Sequence, residues 1–479
     1  MADLHYTDTK KIVVSRLVED NPAIKHWSPP LKVHKIPPDP NLLDDVMRFK
    51  KTWIGRFYEK NLKKYPLILK LSNALWRKFH PTYTRIRLTL CSPSACAWRP
   101  IVKLVDYVNS SNLPSIQVFE TEKIDTPPPR VVPSEERALA SPHSFYEFPP
   151  IYVAELSNAR ACGGSNLVLM ADSVICHDLY DFARDYTSEE LHGRHVIDPK
   201  NKRVRLLRHD TKPVHIPVAA VFLDACSSNY AHWLTEVLPR IAVFCSLGQY
   251  KRVPIIVDDG LHPNIMESLS FIVGSDREIF TLPVGRAIDA DTLYITSVAG
   301  YVPFERRKTK LGEHSHGVFS SRAFHLLDKK LLRFQDRTPF KALPKKIYLR
   351  RNSTLRNVVN ADEIERMLVR CGYTIIDPEN LTFFQQCALF RSADEIVGPT
   401  GAAFSNLIFA RPDVRVQIFI SNYVEHNYWY WQNMALASGK TVRYVIGNLA
   451  EGEAGVHGNY YIDSRFLFTT DSQGTDEPW

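Results

Sequence analysis

The segment Ser228-Asn229-Tyr230-Ala231-His232-Trp233-Leu234-Thr235-Glu236 sets an imidazole and a carboxylate four residues apart. On a helix such a pair shares one face. A carboxylate that accepts from one ring nitrogen fixes the tautomer and leaves the other nitrogen as a general base. A helix is expected here. Ser228 or Asn229 supplies an N-cap oxygen, and Trp233, Leu234, Val237, Leu238, Ile241, Phe244 and Cys245 recur at helical spacing. Pro239 should divide the helix, since a proline that deep removes a backbone donor, leaving a short first piece that carries His232 and Glu236. In a first turn the helix dipole disfavours imidazolium, which predicts a neutral His232. The same two residues also make an ordinary surface pair on a packing helix, and both readings stand on this segment alone.

Two further stretches carry phosphate chemistry. Tyr348-Leu349-Arg350-Arg351-Asn352-Ser353-Thr354-Leu355-Arg356 follows a strand-like run, and Arg351 and Arg356 have the fork geometry to clamp a diphosphate. A solvated basic loop has the same composition. In Val397-Gly398-Pro399-Thr400-Gly401-Ala402-Ala403-Phe404-Ser405-Asn406, small residues between a strand and a helix let phosphate oxygens approach backbone amides. This is neither a Walker A loop nor a GxGxxG fingerprint, and a plain tight turn needs the same residues.

The elements that must position these groups alternate as in a parallel sheet covered by helices. A first unit holds strands at 254–257, 278–282 and 292–297 with a helix at 266–273, preceded by short strand-like runs at 151–156, 166–170, 173–176 and 218–223. A helix at 318–334 and a Pro- and Lys-containing linker at 338–345 lead to a second unit. That unit holds strands at 346–349, 374–376, 395–397 and 414–420, with helices at 361–371, 382–392 and 402–409. Two such units make a cleft, with ligands at the carboxyl ends of the strands. Asp289-Ala-Asp291 has metal-motif spacing but leads into a strand, so strand-end capping is expected. His314 and His316, in a GEHSHG loop, are reserve candidates for a base or part of a linker.

Composition excludes several classes. A chain of 479 residues with 44% hydrophobic content suits two globular domains rather than disorder. The longest apolar run, near 216–223, is too short to span a bilayer, and the opening MADLHYTDTKK lacks a secretory pattern. A cytoplasmic protein is expected, peripheral on the inner membrane face at most. The cysteines at 91, 96, 162, 176, 226, 245, 371 and 387 suit reduced thiols, and Cys91 and Cys96 lack a second pair for zinc. Residues 1–110 hold 20 Lys and Arg against nine Asp and Glu. From Arg48 to Lys103 there are 14 basic residues and one acid, Glu59, interleaved with Trp53, Phe57, Tyr58, Tyr65, Trp76, Phe79 and Tyr83. That mixture fits an anionic bilayer surface or a solvated face packed on the main body. No nucleic-acid module accompanies it, so a nucleic-acid partner is not expected.

Taken together, NYAHWLTEVLPR, IYLRRNSTLRNVVNADE and VGPTGAAFSNLIF, in this order, resemble glycosyltransferase family 61 over about 144–446. The resemblance implies a GT-B architecture of two Rossmann-like domains facing a cleft. It also implies inversion at the sugar carbon, with no metal and no cofactor beyond the nucleotide sugar. On this reading 1–125 is a basic, mainly helical extension, 126–337 the acceptor domain, 338–447 the nucleotide-sugar domain and 448–479 a tail. His232 and Glu236 match the catalytic positions. Arg351, Arg356, Asn360, Gly398, Thr400, Gly401, Ala402 and Asn406 fall on donor-binding positions, with Asn229, His314 and His316 as cleft candidates. Thr400 departs from the histidine that many relatives carry before the Gly-Ala pair. Relatives imply a UDP-sugar donor and a glycan or lipid-linked glycan acceptor in capsule, lipopolysaccharide or other surface polysaccharide assembly. The rival is a nucleotide-sugar or glycan-binding protein that has lost catalysis on the same fold.

Overall fold

The computed structural model describes residues 31–39, 49, 52–62, 65, 67–68, 71–72, 75, 97–133, 144–206, 210–303, 305–307, 317–335, 343–353, 355–423, 429–453, 455 and 457–468. Most of the extension expected at 1–125, residues 338–342 of the linker expected at 338–345, and His314 and His316 lie outside them. The described residues form a mixed α/β protein with two principal sheets.

The larger sheet has a parallel half in the order Lys32–Lys35, Glu278–Leu282, Ile255–Asp258, Val214–Val221, Ala287–Thr296. Ile151–Cys162 then pairs antiparallel with Ala287–Thr296, and further short strands extend the sheet. Taken from Val214–Val221 onward, the spatial order of the parallel strands in chain numbering is 3-2-1-4, so the direction of winding reverses beside Val214–Val221. The second sheet is parallel in the order Thr374–Ile376, Lys346–Leu349, Glu395–Pro399, Arg415–Ser421, Arg443–Leu449. There the winding reverses beside Lys346–Leu349. In open α/β sheets a crevice forms at the carboxyl ends of the strands where winding reverses.

Strand Ile255–Asp258 is buried at all four positions, as a parallel strand covered on both faces must be. The helix after it, Pro263–Val273, starts with His262 accepting from the Asn264 amide and a proline in its first turn, and ends at Gly274 with φ 75°. In the second unit, helix Phe383–Ser392 opens with a capping box in which Thr382 and Gln385 satisfy each other's amides. These helices meet between the sheets. Phe271 packs edge-on against Phe384 at 5.4 Å, the Phe383 amide donates to Glu267 at 2.7 Å, and Asn264 donates to the Leu381 carbonyl at 2.8 Å. One apolar cluster runs through both units, from Phe222, Trp233 and Leu238 to Phe384, Leu407 and Met434.

Several elements differ from the sequence expectation. Where it is described, the stretch before 126 holds the helices Trp53–Phe57 and Leu104–Ser110 together with strands that join the main body. Lys32–Lys35, Arg99–Lys103 and Ser115–Phe119 are hydrogen-bonded into the larger sheet, and Arg130–Val132 pairs with Arg443–Leu449 of the second. Such edge pairing is made by backbone groups with distant partners, and composition does not reveal it. Residues 318–319 form a strand and the helix begins at Ser321. Residues Ala402–Phe409 form a 3-10 helix. Asp289 and Asp291 lie inside a strand rather than capping its end: Asp289 pairs with cross-strand Arg160 at 2.5 and 2.8 Å, and Asp291 with His215 at 2.9 Å.

The helix carrying His232 is composite. Asn229 caps it, its Oδ1 accepting from the Ala231 amide at 3.0 Å. Tyr230–His232 is α-helical, Trp233–Val237 is a π-turn, and Leu238–Phe244 resumes the α-helix with Pro239 in its first turn. A proline without an amide proton is tolerated where the ladder has already widened. Against the π-turn packs the short strand Gly300–Tyr301; a Cβ on Gly300 would stand 2.2 Å from the Thr235 carbonyl oxygen. Replacing Gly300 with Ala should therefore force strand and turn apart and cost about 1–3 kcal/mol, as overpacking does. A thermal midpoint equal to the parent's would show that the turn yields freely.

Candidate active site

The π-turn brings Glu236 back against His232. His232 Nδ1 and Glu236 Oε1 share a short hydrogen bond, and Glu236 Oε2 accepts from the Val302 amide at 3.1 Å. Both side chains are largely buried. Behind them Arg240 donates to the Glu236 carbonyl at 3.1 Å and stands 3.9 Å from Asp224. Burial is the largest influence on His232 and pulls its pKa down. The charge and hydrogen bond of Glu236, with Asp224 beyond, overcome it, so the net direction is up. The net direction is thus opposite to the one expected from the helix dipole. A carboxylate within hydrogen-bond reach outweighs the partial charge of a helix end that is only one turn long. Burial raises the Glu236 carboxyl as well, with His232 opposing it, and the two titrate as a unit.

The pair lines a cavity of about 80 Å³ at the point where the first sheet reverses its winding. Asp224 and Cys226 enter from the carboxyl end of Val214–Val221, and Ser297 and Tyr301 from that of Ala287–Thr296. Asp258 fastens the rim, accepting from the Gly164 amide at 2.7 Å and the Asp224 amide at 2.9 Å, and burial pushes its pKa up to about 6. His177 lines the same cavity with its ring 4.5 Å from that of Tyr301. Burial drives its pKa down to about 3, so it is neutral, and its buried Nδ1 has no partner among the described residues. His177 and Asp224 were not legible in the sequence, because each reaches the site from a different turn, whereas Arg240 continues the four-residue spacing of His232 and Glu236 along the same helix.

The arginine stretch lies at the other reversal point. A cleft of about 350 Å³ opens there, lined by Arg351, Gly401 and Ala402 from the second unit and by Ser228 and Tyr230 from the first. Arg350 and Arg351 are adjacent in sequence and opposite in circumstance. Arg350 is paired with Glu365 and, at 3.5 Å, with Asp377. Among the described residues Arg351 donates to carbonyls, those of Leu355 and Thr400, each at 3.0 Å. Burial first and then the like charge of Arg356 push its pKa down to about 10, while Arg356 is lowered by burial. Neither Arg351 nor Arg356 has a carboxylate at ion-pair distance among the described residues. Gly401 makes room for this arrangement, since a Cβ there would meet an Arg351 nitrogen at 2.7 Å.

The remaining candidates do not line this cleft. Arg356 has φ 60°, an unpartnered buried Nε, and does not line the cleft. Asn360 bonds both ways with Ile462, donating at 2.8 Å and accepting at 3.1 Å, which ties the 361–370 helix to the tail. Gly398 permits the close approach of Leu349, whose carbonyl would stand 2.7 Å from a Cβ. The Thr400 hydroxyl accepts from the Trp431 indole at 2.8 Å and is buried. Asn406, also buried, accepts from the Tyr230 hydroxyl at 2.9 Å and donates to Gln386 at 2.8 Å. That bond joins the His232 turn to the second unit. The dyad and the arginine therefore open into different cavities, and the turn at 224–240 is the segment that lines both.

Comparison with known proteins gives one family: residues 230–417 match the Glycosyltransferase 61 family model. No curated protein matches the chain. The matched stretch begins at the His232 turn and includes the second unit through the strand after the glycine turn.

The electrostatic assignment is testable without substrate. Replacing Glu236 with Gln removes the larger charge that holds His232 up and leaves burial opposed only by Asp224. The His232 imidazole should then titrate below its ordinary 6.5, where in the parent it titrates above. NMR of the ring protons, assigned by loss of the signal in His232→Gln, measures both. An unchanged value in the Glu236 variant would dissolve the dyad.

Proposed function

Taking as premise that residues 230–417 belong to glycosyltransferase family 61, we propose that this protein transfers a sugar from a nucleotide-diphosphate donor to a hydroxyl of a glycan acceptor, with inversion. The observation that carries the reading is the division of labour between the two reversal points. One holds a buried His–Glu dyad beside a small polar cavity, and the other holds, beside a glycine turn, an arginine with no carboxylate at ion-pair distance among the described residues.

In this reading the free nitrogen of His232 takes the acceptor hydroxyl's proton as that oxygen attacks the anomeric carbon. The bond from that carbon to the diphosphate breaks on the opposite face, which inverts the configuration. Glu236 orients the ring and stabilises the imidazolium as it forms, the role a carboxylate plays toward any catalytic histidine. Arg351, with the amides that open the Ala402–Phe409 helix, receives the charge of the departing diphosphate. A guanidinium held among carbonyls and near a second guanidinium lacks a counter-charge that a diphosphate would supply. The sugar must then lie across the turn at 228–232, with the nucleotide on the Ser228 and Tyr230 side and the acceptor on the His232 side. A uridine nucleotide donor and a surface-polysaccharide acceptor remain the preferred identities from the family resemblance.

Screening nucleotide sugars for a rise in unfolding temperature identifies the donor, since a ligand of the native state stabilises it. With that donor, His232→Ala should lower kcat by about 100-fold or more and leave donor affinity nearly intact. Turnover within about tenfold of the parent would require another base. Arg351→Ala should weaken nucleoside-diphosphate binding by about 1.5–3 kcal/mol, the worth of a charge-assisted hydrogen bond, and unchanged affinity would remove it from the donor site. A binder that no acceptor panel turns over would instead be a nucleotide-sugar-binding protein.

The pH profile has a definite sign. A base works only when unprotonated, so the acid limb of kcat/KM follows the raised pKa of the dyad and lies above 6.5. In Glu236→Gln the limb should move to lower pH while the plateau falls. A limb that stays in place would assign the titration to another group.

A further inference from the structure

Large apolar side chains exposed to solvent are concentrated in one stretch, residues 49–75. Trp53 and Phe57 are spaced four apart on the Trp53–Phe57 helix, and Leu67, Leu71 and Leu75 are spaced four apart, so each set falls in one stripe at helical spacing. Both stripes face outward: Trp53 is 73% exposed and Leu67 72%, where stripes that pack on a protein body would be nearly covered. The stretch has internal order. Thr52 caps the Trp53–Phe57 helix by accepting from the Gly55 amide, and the Trp53 and Phe57 rings stack at 5.8 Å. The Tyr58 and Ser72 hydroxyls hydrogen-bond at 2.5 Å and join the two parts. No helix among the described residues is long and apolar enough to cross a membrane.

We propose that this surface docks the protein on an anionic lipid bilayer, lying in the headgroup layer with both stripes inserted. Charge selects this occupant. The surrounding sequence, Arg48 to Lys103, carries 14 Lys and Arg and the single acid Glu59, and Arg56 and Lys60 are exposed beside the first stripe. A basic surface alone would suit a nucleic acid, but leucine stripes offer its phosphates and bases nothing. Aromatic and aliphatic stripes flanked by cations match a layer that is apolar below and anionic above. Binding should then have two separable parts. The ionic part is screened over ~8 Å at physiological salt, and the apolar part persists.

The test is sedimentation of the full chain with vesicles of phosphatidylcholine, with and without phosphatidylglycerol. Sedimentation with the anionic vesicles, and little with the neutral ones, is expected. Added salt should reduce it without abolishing it. The variant Trp53→Ser/Phe57→Ser/Leu67→Ser/Leu71→Ser keeps every charge and should bind at least about tenfold more weakly, given what burying apolar side chains is worth. Arg56→Glu/Lys60→Glu should lose the preference for anionic lipid. All six side chains are exposed, so both variants should keep the parent's unfolding midpoint, which separates lost docking from lost folding. Equal sedimentation of parent and serine variant overturns the proposal, as does failure of the parent to sediment with anionic vesicles. A parent that dimerises through this stretch, and ignores vesicles, would make it an interface between copies.

Discussion

A carboxylate taken out of water has to be met by a cation and by hydrogen-bond donors, or it protonates and its charge is lost. Glu236 is so placed, and much of the first unit is arranged to satisfy it. The π-turn swings it onto His232, the Val302 amide reaches its second oxygen, and Arg240 holds the backbone of the same turn. Gly300 permits that approach, because only a residue without a Cβ lets the strand bearing Val302 come so close to the turn. The histidine is tuned by the same contact. The rise in its pKa comes from Glu236, with Asp224 beyond, and not from its position in the helix, so the imidazole and the buried carboxylate satisfy each other.

The second unit presents the complementary case, a cation with no carboxylate at ion-pair distance among the described residues. There Arg350 has two carboxylates and Arg351 none, although one peptide bond separates them. Alternation along a strand explains the difference. Successive side chains leave in opposite directions, so as the strand ends one arginine turns to the helix that carries Glu365 and the other to the cleft. A positive charge fixed there at little further reorganisation is suited to receive an anion. The two units are held in register by polar contacts between them, of which the Tyr230 to Asn406 bond is the most direct, because it anchors the residue two before His232.

Much of this was legible beforehand. The strands at 278–282, 346–349 and 374–376 fall where alternating β-branched runs and turn residues put them, since buried parallel strands and their flanking turns have strong local signatures. The 361–370 helix shows in its spacing of Ile364 and Leu368. The pairing of His232 with Glu236 was readable because residues four apart on a helix meet whatever surrounds them. The direction of the His232 shift differs from the expectation because the Glu236 carboxylate, with Asp224 beyond, outweighs the dipole of a helix end only one turn long.

Sequence alone therefore determined the kinds of chemistry available, the pairs that are close along one helix, and the resemblance that ordered them. Tertiary structure alone decided which members of a motif are exposed to a cavity. It made Asn360 and Asn406 into ties, closed the Thr400 hydroxyl onto Trp431, and brought His177 and Asp224 to the dyad. It also placed the two cavities where the sheets reverse their winding, a property of strand order that no local stretch contains. The reason is common to all of these. Propensity and periodicity act over a few residues, whereas hydrogen-bond satisfaction and desolvation are settled between groups that only the completed fold brings together.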